Sequence, residues 1–446
     1  MNYLPHTTED RNDMLAACGV EDISDFFAII PEKKRFPTLD LPEPLSEMEV
    51  LRELKELAES NADAEHHPCF LGAGAYHHYV PALVNHMLLR GEFLTAYTPY
   101  QPEVSQGTLQ TMFEYQSMIC ALTGMEVANA SHYDGATSAA EAVIMALKHF
   151  RGHRTKIVLS PTLHPQYSQV IYTYTQGMGI KTLAVNEPPD ELDNLNTHID
   201  EQTALVIMQY PNFLGELEDI ENVAKASHDN GALLCVVTNP IAMGMLKPPG
   251  EYGADIVVGE GQPLGIPMSY GGPYLGFFAT RQKLVRQMSG RLVGETLDVN
   301  GKPSYALTLT PREQHIRRDK ATSNICTNQG LMATAAAIYL SVLGKQGLRE
   351  VAELCFHKAH YASDCIDTLP GYSVRRERPF FLEFVLRCPA PVSEINAILF
   401  DDYGIIGGYD LGQDHDDLKN HMLLAVTEMN TRDDIDALVE ALGAIK

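Results

Sequence analysis

Tryptophan is absent from the 446 residues, and the eight cysteines (18, 69, 120, 235, 326, 355, 365, 388) are scattered without a Cys-x-x-Cys pair. That spacing leaves no paired zinc or dithiol motif. Settings such as Leu234-Cys235-Val236 suit reduced core thiols in a cytosol. Positive charge is also scarce: 33 Lys and Arg stand against 58 Asp and Glu, a net charge of −25. Such a surface argues against nucleic-acid or anionic-membrane partners, whose phosphates are held by clustered cations. No apolar stretch in the sequence approaches bilayer length, and Met1–Arg11 is too polar for a secretion signal. The expectation is a soluble cytoplasmic chain. At 45% hydrophobic content and this length, it can bury large cores in more than one domain.

One further absence is local. Ala254-Asp255-Ile256-Val257-Val258 reads as a buried strand and Tyr274–Ala279 as a returning one, with a glycine-rich loop between them. In aminotransferase-like enzymes that use pyridoxal phosphate (PLP), such a strand–loop–strand carries the lysine that forms the Schiff base. The whole stretch Gly259–Thr280 contains no lysine.

Taken in order, residues 1–64 hold short helical patterns at Glu9–Cys18, Ile23–Ile29 and Ser46–Asn61. Gly19 ends the first, and Ser46 with Glu49 forms a capping box for the third. This strandless arm wraps a neighbouring domain or subunit, or else folds over its own domain. His66, His67, Cys69, His77 and His78 crowd one segment, yet their spacing matches no recognised zinc site, and hydrogen-bonded structural histidines are expected instead. The loop Thr95–Glu103 displays Tyr97, Tyr100 and Gln101 among prolines, and a core helix spans Gly107–Thr123. Tyr133-Asp134-Gly135-Ala136-Thr137 opens another helix. That start could receive an anion on its free N–H groups, or simply be capped by Asp134 or Thr137.

From Thr155 onward strands alternate with helices: strands at Lys156–Ser160, Ile180–Val185, Ala204–Gln209, Leu233–Thr238 and Ile256–Gly259, helices at Pro165–Gly177 and Asp219–Asn230. Apolar strands separated by helices predict a parallel sheet covered on both faces, with ligands bound beyond the carboxyl ends of its strands. Gln209–Asn212, Thr238–Pro240 and the Glu260–Pro273 loop should therefore surround one crevice. A PLP ring also needs a carboxylate on its pyridinium nitrogen. An ungapped comparison puts Val237 at that position, give or take one residue, and Lys247, Lys283 and Lys320 follow no strand end in the crevice. The most basic segment, Thr310–Gln329, could capture carboxylate or phosphate through its arginines, or pair with acidic neighbours. Helices at Gly330–Leu343, Gly347–Leu369, Val392–Phe400 and Asp433–Gly443, with strands at Phe380–Leu386 and Met422–Ala425, complete a smaller αβ segment. The expected organisation is an arm (1–64), a large α/β domain of the PLP-dependent aminotransferase-like type, fold type I (65–329), and a small C-terminal domain (330–446).

Four motifs carry a resemblance: Tyr97-Thr98-Pro99-Tyr100-Gln101-Pro102-Glu103, Tyr133–Thr137, the Gly259–Gly276 loop and Lys320-Ala321-Thr322-Ser323-Asn324-Ile325-Cys326-Thr327. Together they resemble the glycine decarboxylase P-protein family of the glycine cleavage system, specifically the alpha half of its split form, over essentially the whole chain. Counted back from Ile266-Pro267, the family's Schiff-base lysine falls at Gln262. The resemblance implies that PLP sits on a partner subunit 2 within an α2β2 heterotetramer. It implies that the assembly decarboxylates glycine and passes the aminomethyl group to the lipoyl arm of the H protein. It also makes Tyr97, Tyr100, Gln101, Thr322, Ser323 and Asn324 the candidates for lining the partner's site, with no metal and no catalytic residue of this chain's own. Two other readings are a self-sufficient PLP enzyme with a displaced lysine, and a scaffolding pseudoenzyme.

Overall fold

The computed structural model describes residues 5–184 and 195–445. It falls into two compact units, Met1–Ala62 and Asp63–Lys446. In the first, helix α1 (Thr8–Cys18) opens on a Thr7/Asp10 capping box and closes at Gly19, whose φ of 73° suits glycine. The pattern at Ile23–Ile29 becomes a 3-10 turn, Ile23–Phe27. Asp22 and Asp25 turn their carboxylates onto nearby backbone N–H groups there, a local alternative to helix. Helix α2 (Glu47–Glu59) starts on the Ser46/Glu49 box. Neither helix contains a buried residue, and Ile29, Leu41 and Leu51 are exposed.

The second unit begins with α3 (Ala82–Leu88), α4 (Gly91–Leu94) and α5 (Gln106–Thr123). Then come β1 (Val127–Ala128), α6 (Gly135–His149), β2 (Lys156–Leu159), α7 (Pro165–Thr175), β3 (Lys181–Ala184), β4 (Thr203–Tyr210), α8 (Ile220–Asp229), β5 (Leu233–Thr238), β6 (Ile256–Glu260) and β7 (Gly276–Thr280). Val185, expected to end the third of these strands, lies outside the described residues. The seven strands run β1-β7-β6-β5-β4-β2-β3. β2 to β6 are parallel, and β7 is antiparallel to both its neighbours.

The unbroken apolar strands follow from burial on both faces. Ile157, Leu205, Ile207, Cys235 and Val237 join the cluster containing Ala139 and Val143 of α6. The alternating Val158, Val206, Met208, Leu234 and Val236 join the cluster containing Ile119 of α5 and Val223 of α8. Each such side chain contributes about 1.5–3 kcal/mol relative to an exposed one.

A hairpin follows that the sequence reading did not place, β8 (Leu292–Leu297) with β9 (Pro303–Thr308). Its signal was Asn300-Gly301, a turn tightened by Asp298, which accepts from the N–H groups of Asn300 and Lys302 at 2.8 Å each. After the short α9 (Gln314–Arg317), α10 (Gly330–Ile366) runs through both expected helices, with non-helical Gly344 (φ 59°) where they were divided. Among the described residues this helix is long and apolar enough to cross a bilayer, contrary to the expectation of none. Its apolar content is accounted for by packing: Ala335 and Tyr339 enter the sheet's core, and Ala359 and Ile366 the C-terminal one.

The C-terminal part holds an antiparallel sheet in the order β10 (Ser373–Val374), β11 (Glu383–Arg387), β13 (His421–Ala425), β12 (Tyr409–Asp410), with α11 (Val392–Tyr403) and α12 (Arg432–Ala444). β11 starts at Glu383 rather than Phe380, because Phe380–Phe381 is drawn to the 215–217 loop. Phe380 bridges Glu216, and the Phe381 N–H donates to the Gly215 carbonyl at 3.2 Å.

The histidine-rich segment is pinned to this sheet's surroundings. His67 Nδ1 lies 2.8 Å from the Gly404 carbonyl, and Thr427 Oγ1 donates to the His77 carbonyl at 2.7 Å. His78 Nδ1 lies 2.7 Å from Glu428 Oε2, and Cys355 approaches the same oxygen at 3.4 Å. His78, Cys355 and Glu428 thus bring donor atoms within 4.8 Å of one another, a grouping not legible in the sequence. Both Glu428 oxygens are engaged, since the other accepts the Tyr79 N–H at 2.8 Å. Burial works against its charge, but the His78 bond wins and holds the carboxyl below its ordinary range. We therefore read the trio as a hydrogen-bonded junction. His78→Ala should cost roughly 3 kcal/mol, because the Glu428 carboxylate is left buried without its ring partner. Urea midpoints check this, and Glu428→Gln in the same background should recover part of the loss.

Candidate functional site

At the carboxyl end of β6 the backbone turns sharply into the loop, and the first side chain inside it is Gln262, 1% exposed. Its Oε1 accepts the Tyr76 N–H at 2.9 Å. Its Nε2 donates to the carbonyls of Tyr76 at 2.9 Å and Ile266 at 2.8 Å. Both amide hydrogens and the acceptor are in use. The chain can pass this closely only because Gly265 has φ 81° and no side chain, since a Cβ would sit 2.8 Å from that of Tyr339.

Beside it, the last residue of β6, Glu260, gathers three N–H donors. Oε1 accepts from Gln262 at 3.0 Å and from Leu275 at 2.9 Å, and Oε2 accepts from Gly135, the first residue of α6, at 3.0 Å. The N–H of Thr137, the third residue of the helix, is taken by Asp134, whose Oδ1 accepts it at 2.7 Å. Of the two readings left open for Tyr133–Thr137, the cap is the one observed.

The strand ends converge as their topology requires. Gln209, Pro211 and Asn239 line a cavity of about 20 Å³ with Tyr76, Phe381 and Glu383, room for about one water. Glu383 Oε2 accepts from Tyr76 Oη at 2.8 Å, and Oε1 accepts the Ala73 N–H at 2.7 Å. Burial pushes its carboxyl up to about 7, against the pull of those two donors. Glu260 is likewise pushed to about 7 by burial, against its backbone donors. Val237 lies in register between Gln209 of β4 and Val258 of β6, buried in apolar surroundings. Lys247 is stacked over the Tyr252 ring at 4.2 Å, and Lys283 pairs with Asp255 at 3.1 Å, at the end of β6 opposite the crevice.

A second locus collects part of the remaining candidates. Arg291, 4% exposed, donates from Nη2 to Tyr100 Oη at 3.1 Å and to the Cys326 carbonyl at 2.5 Å. From Nη1 it donates to Asn328 Oδ1 at 3.3 Å. Tyr100 also meets the His315 ring edge-on at 5.7 Å. Ser323 Oγ donates to Glu141 Oε1 at 2.6 Å, and Lys148 donates to Thr322 Oγ1. Thr322, Ser323 and Asn324 line an open cleft of about 840 Å³ with Tyr174, His315 and Arg318. The Lys148 ammonium beside it is held below its usual range by burial and by repulsion from Arg317 and Arg312. Tyr97, 86% exposed, and Gln101, also exposed, are not drawn into this network.

The sequence reading missed Glu260, Glu383, Glu141, Arg291 and Tyr76. The signal for two of them was a carboxylate at the end of an apolar run, Ile256-Val257-Val258-Gly259-Glu260, and inside another, Phe380-Phe381-Leu382-Glu383-Phe384. Such a charge needs partners. The raised Glu383 carboxyl means that the folded state keeps a proton the unfolded chain releases, so stability falls as pH rises from about 4.5 to about 7. Glu383→Gln should remove its share of this slope and leave that of Glu260. Its stability relative to the native chain should improve between pH of about 5 and about 8 in urea titrations. An equal offset at both would contradict the assignment.

The geometry has counterparts among known proteins. Residues 1–442 match the family model described as glycine cleavage system P-protein. The chain is 54% identical to the probable glycine dehydrogenase (decarboxylating) subunit 1 of Thermomicrobium roseum, over 99% of both chains. It is 51% identical to the protein of the same description from Desulforamulus reducens, over 100% of both. A crystal structure of glycine decarboxylase (P-protein) of the glycine cleavage system, in inhibitor-bound form, superposes with a TM-score of 0.90 at 45% identity, covering 100% of both chains. A sphingosine-1-phosphate lyase of Burkholderia pseudomallei shares the fold alone, with a TM-score of 0.66 at 15% identity over 93% of this chain and 94% of that one. The fold is the α/β architecture of PLP-dependent aminotransferase-like enzymes, fold type I, with its mainly parallel sheet and small antiparallel sheets. By sequence over its whole length and by fold, the chain belongs to the P-protein family of the glycine cleavage system.

Proposed function

We propose that this chain is the half of a two-subunit glycine decarboxylase that does not carry the cofactor. Its partner is a PLP-bearing subunit 2, with which it forms an α2β2 heterotetramer in the cytoplasm. Together they release carbon dioxide from glycine and hand the aminomethyl group to the lipoyl arm of the H protein. The relatives' description as subunit 1 of a glycine dehydrogenase supports the partnership.

The observation that carries this reading is Gln262. At the position where the resemblance places the Schiff-base lysine stands an amide, buried and with both its hydrogens and its oxygen bonded to the backbone of Tyr76 and Ile266. An amide nitrogen is no nucleophile toward an aldehyde, because its lone pair is delocalised into the carbonyl. Nor do the neighbours fit PLP: Val237 offers no carboxylate to a pyridinium nitrogen, and a Glu260 oxygen rests on the first N–H of α6. No step of the reaction is routed through this crevice.

What the chain supplies instead is surface and position. Arg291 ties Tyr100 to the segment before α10. Thr322, Ser323 and Asn324 stand at an open cleft bordered by the most basic part of an acidic chain. We assign Tyr100, Thr322, Ser323 and Asn324, with Tyr97 and Gln101 on the exposed loop, to the wall of the partner's site. There, hydroxyls, amides and nearby cations can orient an anionic or polar group without reacting.

Asn324→Ala and Tyr97→Ala test this in the reconstituted complex with subunit 2. Each should lower glycine–bicarbonate exchange by on the order of tenfold to a hundredfold, with the assembly intact by light scattering. Unchanged glycine kinetics in an intact complex would remove the residue from the wall.

A further inference from the structure

The disagreement between the crevice and PLP has a specific atomic form at the start of α6. A helix amino terminus carries unpaired N–H groups and the positive end of the dipole, a natural seat for phosphate. Here three donors from three segments converge: Gly135 of α6, Gln262 of the loop and Leu275 at the approach to β7. All three end on Glu260. We propose that Glu260 is a built-in ligand of this seat, its carboxylate occupying the anion position and excluding the phosphate of a pyridoxal cofactor or inorganic phosphate from this chain.

The packing supports exclusion rather than sharing. Gly135 has no room for even a Cβ, which would lie 2.0 Å from Tyr167 Oη and 2.8 Å from the Glu260 nitrogen. Gly276 is as tightly set, its missing Cβ 2.2 Å from the Asp134 carbonyl oxygen. The cap, the end of β6 and the start of β7 are therefore in van der Waals contact around the carboxylate. A phosphate would need the same three N–H donors, and each of them already ends on the carboxylate. The Glu260 side chain comes from the rigid end of a central strand and is fixed by three bonds, so it cannot swing aside cheaply. Removing the carboxylate has the opposite effect. It leaves three converging N–H donors without an acceptor, and a vacancy that an external anion can fill.

The inference rests on the reading of this crevice as a cofactor position without its cofactor. Its test needs neither partner nor turnover, so either can fail without the other. The full chain is titrated with inorganic phosphate at pH of about 8, where the carboxyl is ionised, against chloride of equal ionic strength, by 31P NMR line width and thermal unfolding. The native chain should show no saturable binding. Glu260→Ala should bind phosphate saturably, with Kd on the order of 1 mM and a phosphate-dependent rise in Tm, and PLP should compete. Glu260→Gln retains the volume and should remain unresponsive. Saturable binding of phosphate by the native chain overturns the proposal, whatever the variants do. So does a folded Glu260→Ala, or Glu260→Ser if the alanine variant does not fold, that binds none.

Discussion

A single carboxylate ties together the parts that in this fold surround a cofactor. Glu260 ends a central strand, and its oxygens reach the first residue of α6, the following loop and the approach to β7. Gln262 extends the same network to Tyr76, and Tyr76 extends it to Glu383 on β11. One chain of hydrogen bonds therefore runs from the α6 amino terminus across the sheet's carboxyl ends to the small antiparallel sheet. Its members are buried, Glu260 partly so, and each stays tolerable only because its neighbour supplies a partner. Placing a lysine or a phosphate in the crevice would require several of these bonds to break together.

The same logic explains how the segment from Asp63 to Lys446 closes on itself. The stretch from His66 to Tyr79 carries four histidines that look like metal ligands in one dimension. In three dimensions three of the rings are hydrogen-bonded apart, His66 to Asp63, His67 to Gly404 and His78 to Glu428, while His77 is held through its backbone carbonyl by Thr427. This segment delivers Tyr76 to Gln262 while His78 anchors it to the C-terminal part. The crevice network and the junction around Glu428 are two ends of one strap.

Much of this architecture is legible in the sequence, and the reason is periodicity. Strands buried on both faces show as unbroken runs such as Leu233–Thr238, and helices announce themselves through caps such as Ser46/Glu49 and Asp134/Thr137. The crevice was placed from topology alone, because parallel strands bring their carboxyl ends together. Pairings between distant residues are not legible. Nothing in the sequence links Glu260 to Gly135, 125 residues away, or Tyr76 to Glu383, 307 away. The β8–β9 hairpin was passed over because, beyond buried Leu292 and Val293, its residues are only partly buried or exposed and show no clean alternation. The long helix α10 read as two because Gly344 interrupts its pattern, and as no membrane-length stretch for the same reason. Of the residues named for the partner's site, the structure gathers Tyr100, Thr322, Ser323 and Asn324 around one basic cleft and its Arg291 network. Tyr97 and Gln101 stay outside it, since an exposed loop offers no packing to draw them in.

We propose this chain as half of an enzyme, folded around a site it does not itself use. The most direct measurement is visible absorbance and glycine–bicarbonate exchange for the chain alone, incubated with PLP and then freed of unbound cofactor, and again after mixing with subunit 2. The account predicts a colourless, inactive chain alone and exchange that appears only on mixing. A yellow chain that catalyses exchange by itself would contradict it, and would mean that a lysine elsewhere in the sequence holds the cofactor.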